Sequence, residues 1–220
     1  SLVKTLFAMA RKSKPSIIFI DEVDSLCRSR SDTESQSESR IKTEFMVQMQ
    51  GLGLDNDGVF VLGATNIPDS LDAAIRRRFV KRIYIPLPDA TGRKEMFRIH
   101  LSNNENTLTK DHYKKLVERT NDFSGYDIYN LVQDALMQPI RRLQAARHFK
   151  YIEGNRLMPC SPGDRGAQPM SWEDVPNERL AEPPLSMQDL ELSLSTVKPT
   201  VQKKDLERLK KFETDFGQTG

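Results

Sequence analysis

The residues best suited to chemistry follow the apolar run Ile17-Ile18-Phe19-Ile20, which leads directly into Asp21-Glu22. A short run of this kind suits a strand buried on both faces of a parallel sheet. In open α/β sheets, ligands bind at the carboxyl ends of the strands. One carboxylate there can hold Mg²⁺, usually through water, and its neighbour can orient and polarise an attacking water. Solvated acids also end many ordinary strands, so the pair needs company. Asn66 supplies it, following a second run, Val59-Phe60-Val61-Leu62, through Gly63-Ala64-Thr65. A neutral amide at that edge can bond a phosphate oxygen or a water, although Asn before Ile67-Pro68 also suits a plain turn. Arg76-Arg77-Arg78 ends a short helical stretch carrying Leu71, Ala74 and Ile75. Its cations can offset a helix dipole or reach a phosphoryl group on a neighbouring subunit.

Elements must place these residues. Leu2, Leu6 and Met9 fall at helical spacing, so the chain opens inside an amphipathic helix with Leu2, Leu6 and Met9 as its apolar stripe. With no initiator Met and no signal-peptide layout, it is expected to be a piece of a longer protein. Polar Arg28 to Arg40 precedes a helix with Ile41, Phe45 and Met49, which Gly51-Leu52-Gly53 should end. Ile83-Tyr84-Ile85, stopped by Pro86 and Pro88, is expected to be a third strand. Helices follow. One carries Met96, Phe97, Ile99 and His100, and Thr109 caps another with Tyr113, Leu116 and Val117. Ser124-Gly125-Tyr126-Asp127 has capping-box spacing and opens a long helix that Pro139 should kink or interrupt. Residues 149–185 are rich in Pro, Gly and Asp and should be irregular with one or two short strands. Two helices close the chain, after Ser186 and after Thr200, the last carrying Leu206, Leu209, Phe212 and Phe216.

Composition narrows the classes. Apolar residues are 37% and charged residues 29%, as in a globular protein with a polar surface. A net charge of +2 gives no case for nucleic acid as a partner or for an anionic membrane as the main one. Cys27 and Cys160 form no CxxC pair, which speaks against a zinc site and fits a reducing compartment. No apolar run approaches membrane-spanning length.

Ile17 to Asp24, Gly63 to Pro68 and Leu71 to Phe79 resemble the Walker B, sensor 1 and second-region-of-homology motifs of AAA ATPases. The finer resemblance is to the meiotic clade, with katanin, spastin and the vacuolar protein sorting four type. Asp134 to Arg141, Pro159 to Asp164 and Phe212 to Gly217 select the last of these. The resemblance covers essentially the whole chain. It implies an α/β fold: the C-terminal part of an AAA large subdomain, a parallel sheet with helices, plus a small helical bundle with a short β insertion. Residues 1–88 would be the large-subdomain part, 89–148 and 186–199 the helical subdomain, 149–185 the insertion and 200–220 a C-terminal helix.

By the same resemblance Asp21 would carry Mg²⁺ through water, Glu22 would be the catalytic glutamate and Asn66 sensor 1. Arg77 and Arg78 would be arginine fingers, and His100 and Gly125 would lie near adenine and ribose of ATP or ADP. Tyr126 stands where many AAA proteins have Ala, which puts the Gly125 role in doubt, and His100 also suits an ordinary helix histidine. Residues 28–40 resemble the second pore loop, and 149–185 the insertion that binds a Vta-type activator. The family forms hexamers that disassemble ESCRT-III filaments, in the cytoplasm, with peripheral recruitment to endosomal membranes. No run of Gly, four residues, then Gly-Lys-Ser/Thr occurs, so the phosphate-binding loop is absent from these 220 residues. The chain alone is therefore expected to bind ATP weakly or not at all, its large subdomain to be partly exposed, and its helical subdomain to fold well. The alternatives are a non-catalytic oligomerisation and activator-binding module, or a microtubule-severing member of the clade.

Overall fold

A computed structural model describes residues 2–27, 36–51 and 55–217. The chain forms two compact units, Ser1–Ile85 with Lys203–Gly220, and Pro86–Gln202.

In the first unit, α1 (Leu2–Lys12) leads to β1 (Ser16–Ile20), α2 (Val23–Cys27), α3 (Gln36–Gln50), β2 (Val59–Gly63) and α4 (Ala73–Arg78). β1 and β2 pair in parallel, Ser16 opposite Val59 through to Ile20 opposite Gly63. One sheet face and α1, α3 and α4 bury Phe7, Ala10, Ile18, Val23, Phe45, Leu71 and Ile75. Each fully buried Phe or Ile is worth roughly 1.5–3 kcal/mol over exposure. Phe7 meets Phe45 edge-on, centroids 6.0 Å apart. Lys42 is buried in α3 with its Nζ 3.4 Å from the Asp72 carboxylate, which also accepts a 2.8 Å bond from Ala74 N–H and so caps α4. Gly51, at φ 62, ends α3, the glycine supplying a conformation that costs other residues strain.

Two expectations are corrected here. The core face of α1 is Phe7 and Ala10, with Val3 packed against them; Leu2, Leu6 and Met9 face outward. The helical period was real, but α1 is apolar on two sides and spacing does not say which side is covered. Ile83-Tyr84-Ile85 forms no strand: Ile83 and Ile85 are 81% and 85% exposed, and neither β1 nor β2 pairs with them. β-branched residues favour an extended chain, but a strand exists only where a neighbour accepts its hydrogen bonds. The partial exposure expected of this unit is present. On the second sheet face Ile17, Phe19, Phe60 and Leu62 are between 55% and 70% exposed.

The second unit is a helical bundle. α5 (Ala90–Leu101), α6 (Lys110–Arg119), α7 (Gly125–Ala145) and α8 (Met187–Thr196) surround Phe97, Leu101, Leu116, Ile128, Leu131, Val132, Ala135 and Leu190. Two helix starts use the same device, a Ser followed three residues later by an Asp. Asp127 accepts bonds from Ser124 N–H (2.8 Å) and Oγ–H (2.7 Å); Asp189 accepts the same pair from Ser186. Asp127 also accepts from Thr200 N–H at 3.1 Å, tying the segment after α8 to the start of α7, and Asp189 accepts from Arg142 at 3.0 Å. α7 continues through Pro139, which is buried, so the expected interruption does not occur. A proline forfeits one backbone bond, and packing against α8 supports the helix across it.

Between α7 and α8 the insertion is more ordered than its composition implies. β3 (His148–Ile152) pairs antiparallel with β4 (Arg156–Pro159) and with β5 (Gln168–Pro169), in the order β4-β3-β5. These three strands and single 3₁₀ turns enclose a small core of Phe149, Leu157 and Val175. α9 (Lys203–Phe216) belongs to the first unit.

Two measurements test this packing. Burial alone would raise the pKa of Asp127, but the bonds from Ser124 and Thr200 outweigh it and hold the carboxyl below its ordinary value. A depressed folded pKa contributes stability that is complete above the unfolded Asp value of about 3.9 and is lost as pH falls through the folded value. Asp127→Asn should lower stability at neutral pH and flatten its acid-range decline, read by denaturant unfolding from about pH 2 to 7. At the end of β2, a Cβ on Gly63 would lie 3.0 Å from Phe79 Cζ and 3.3 Å from Val23 Cγ1. Gly63→Ala should cost about 1–3 kcal/mol by the same assay.

Candidate functional site

The parallel register fixes where the polar residues emerge. Ile20 and Gly63 are partners, so Asp21-Glu22 and Ala64-Thr65-Asn66 leave the same sheet edge. Backbone bonds join the two exits: Ala64 N–H donates to Ile20 O and Val23 N–H to Ala64 O, both at 2.9 Å. Thr65 adds a side-chain link, its hydroxyl donating to the buried Asp24 carboxylate and accepting from Ile67 N–H at 2.9 Å.

Asp21 and Glu22 are both exposed at this edge. Asp21 Oδ1 accepts from Glu22 N–H at 2.9 Å, and Glu22 sits at φ 48, in the left-handed region. That conformation costs a non-glycine residue of order 1–3 kcal/mol and turns the chain sharply between β1 and α2. Asn66 is exposed, and its backbone carbonyl accepts a 3.1 Å bond from Arg208 of α9.

Arg77 and Arg78 lie on α4 in the same unit. Arg77 Nε donates to Ala73 O at 3.3 Å and Arg78 Nη1 to Ala74 O at 2.7 Å, so both guanidinium groups fold back along their own helix. Arg76 lies instead over the Phe216 ring, 5.2 Å from its centroid. His100 and Gly125 belong to the second unit. His100 meets Tyr129 edge-on at 5.6 Å. Gly125 is the first residue of α7, where an added Cβ would only touch Met96 at 3.5 Å. Packing therefore does not demand glycine there. Tyr126, beside it, is exposed. Of the residues 28–40, 28–35 lie outside the described residues and 36–40 begin α3.

Asp21, Glu22 and Asn66 thus share one edge, Arg77 and Arg78 occupy a helix of the same unit, and His100 and Gly125 belong to the other. Among the described residues no group of three or more His, Cys, Asp or Glu is placed to hold a metal. One strand-end carboxylate fits a Mg²⁺ that takes its remaining ligands from phosphate and water, and it does not fit a cation held by protein alone. No helix among those described is long and apolar enough to cross a membrane. Sequence reasoning missed Asp24 and Thr65, although both sit inside the quoted motifs. It also missed Arg208, which nothing in the periodicity of α9 distinguishes from its other charged residues.

Three family models match the chain: the ATPase family associated with various cellular activities (AAA) over residues 1–87, the AAA+ lid domain over 111–153, and the Vps4 C terminal oligomerisation domain over 157–217. Vacuolar protein sorting-associated protein 4B of Mus musculus is 58% identical over the whole of this chain and 52% of its own length. Protein 4A of Homo sapiens is 55% identical over 99% of this chain, and protein 4 of Dictyostelium discoideum 53% over all of it. This chain spans about half the length of these relatives. Among solved structures, the FIGL-1 AAA domain superposes with a TM-score of 0.78 at 33% identity, over all of this chain and 63% of that one. A structure described as the basis of katanin self-assembly gives 0.69 at 32% identity, over 96% of this chain and 62% of that one. Residues 1–87 thus carry the AAA match and 157–217 the Vps4 C-terminal match, and along its whole length the chain is similar to AAA proteins of the Vps4 type.

Proposed function

We propose that this chain carries the water-activating half of an ATP-hydrolysing site, in an oligomeric AAA protein of vacuolar protein sorting. One observation supports this above the others: the register of β1 and β2 puts Asp21-Glu22 and Asn66 at one sheet edge, joined by backbone bonds. In this reading Asp21 holds Mg²⁺ through water, and the metal with ATP supplies a polarised γ-phosphate. Glu22 accepts the proton of the attacking water, and its exposure and turned backbone leave its carboxylate open to that water. Asn66 bonds that water or a γ-phosphate oxygen. Arg77 and Arg78 act on the nucleotide of a neighbouring subunit, leaving their helix carbonyls for phosphate oxygens, which charge makes the stronger acceptors. His100 and Gly125 contribute to the adenine and ribose side.

The match of residues 157–217 to an oligomerisation domain supports a homo-oligomer, a hexamer by family resemblance. The substrate is an ESCRT-III filament, disassembled at endosomal membranes to which the cytoplasmic protein is recruited peripherally. Residues 28–40 correspond by resemblance to the family's second pore loop, and the β3–β5 insertion takes a Vta-type activator. In subdomain terms, 1–88 is large-subdomain material, 89–148 and 186–199 the helical subdomain, 149–185 the insertion and 200–220 the C-terminal helix.

Two experiments test the reading. No Gly-x4-Gly-Lys-Ser/Thr run lies within these 220 residues, so Asp21 and Glu22 need a phosphate cradle from elsewhere. Calorimetry on the 220-residue chain should show no tight Mg²⁺-dependent binding of ATP, and tight binding overturns that expectation. In the chain extended to the length of its relatives, Glu22→Gln should cut turnover by roughly 10²–10⁴-fold with ATP still bound. Unchanged turnover removes Glu22 from the catalytic role.

A further inference from the structure

α9 touches the rest of its own unit at two polar points, and they lie against two different parts of the candidate site. Near its middle, Arg208 Nη2 donates to the Asn66 carbonyl at 3.1 Å, and Arg208 Nε lies 3.6 Å from Asp69. Asn66 and Asp69 flank Ile67-Pro68, the stretch between β2 and α4. At its end, the Phe216 ring lies beneath Arg76, and Arg82 bridges two carbonyls, Phe216 O at 2.8 Å and Arg76 O at 2.7 Å. Phe216 lies eight helical steps beyond Arg208, about 12 Å along the axis. No residue of α9 is fully buried, and Leu206, Leu209 and Phe212 are half-buried along it, so these directional contacts add to a shallow apolar seam.

We infer that α9 is a strut between the Asn66 loop and the Arg77–Arg78 helix, with Arg208 and Phe216 as positioning residues. The Asn66 loop is held on two sides: by Val23 and Asp24, through Ala64 and Thr65, and by Arg208, through the Asn66 carbonyl. Its backbone is thereby fixed while the Asn66 side chain remains exposed. Arg82 does the corresponding work at the end of α4, where it gives the Arg76 carbonyl a partner, while the Arg76 guanidinium rests on Phe216. Because one rigid helix carries both contacts, a shift of the Asn66 loop is transmitted to the helix bearing Arg77 and Arg78. In the oligomer proposed above, on which this inference rests, that helix serves the neighbouring nucleotide. The strut therefore couples a subunit's own site to the next one.

Amide hydrogen exchange on the 220-residue chain tests the contacts without nucleotide. Arg208→Ala should raise exchange roughly fivefold at residues 64–71, the equivalent of losing one hydrogen bond, and leave β1 unchanged. Arg208→Lys, which keeps the charge and a donor, should restore most of the protection. Phe216→Ala should instead loosen residues 76–82. An equal rise throughout β1 and β2, or no change at 64–71, overturns the strut. In the chain extended to the length of its relatives, Arg208→Ala should lower kcat roughly tenfold with KM held within twofold, a loss of positioning rather than of binding. A loosened loop with unchanged kcat overturns the positioning role, whereas unchanged turnover in Glu22→Gln overturns the hydrolysis reading and leaves the loop contacts standing.

Discussion

Parallel pairing of β1 with β2 decides where the acids and the amide of the candidate site can sit. Its register sends the two strands out at one edge, and bonds from Ala64 N–H to Ile20 O and from Val23 N–H to Ala64 O carry the pairing beyond the strands. A slip of one residue would turn the buried Ile18 outward and bring Ile17 and Phe19 inward. The covered face holds against it, because Phe7, Phe45 and Ile75 pack on the side where Ile18 is buried. Core packing and the alignment of polar groups are thus one constraint seen from two sides. Gly63 shows how closely they meet: the residue that ends β2 must be small because Phe79 and Val23 crowd it.

The second unit is organised by carboxylates as much as by its apolar core. Asp127 and Asp189 each close a helix start and also hold a distant partner, Thr200 and Arg142. Ser193 adds a third cross-tie, donating to Asp134 of α7 at 2.6 Å. α7 and α8 are therefore fixed at their ends and along their length, and α7 tolerates Pro139 in its interior.

Much of this was legible in the sequence. β1 and β2 announced themselves as short apolar runs ending in polar residues, the caps at Thr109 and Ser124 followed from local spacing, and a helix does follow Ser186. What was hidden depends on partners distant in sequence. Ile83 to Ile85 has the composition of a strand and, among the described residues, no strand paired with it. α1 offers two apolar sides, and only the fold shows that Phe7 rather than Leu6 is covered. The insertion between α7 and α8 reads as irregular because its strands are short and its core is only a few residues. That the acids and the amide leave the same end of the sheet was readable from their position after two apolar runs. Arg208 was not, because a charged residue on an amphipathic helix gives no sign of the carbonyl it will meet.

The uncovered sheet face has a consequence for how this polypeptide behaves in solution. Ile17, Phe19, Phe60 and Leu62 lie on one face of a sheet that has two strands among the described residues, each of them an edge strand there. Such a surface combines the two features that promote adhesion between copies, unpaired backbone groups and exposed hydrocarbon. At high concentration such a face meets its own copies, so Ile17, Phe19, Phe60 and Leu62 bear on how these polypeptides adhere as well as on how the sheet is covered.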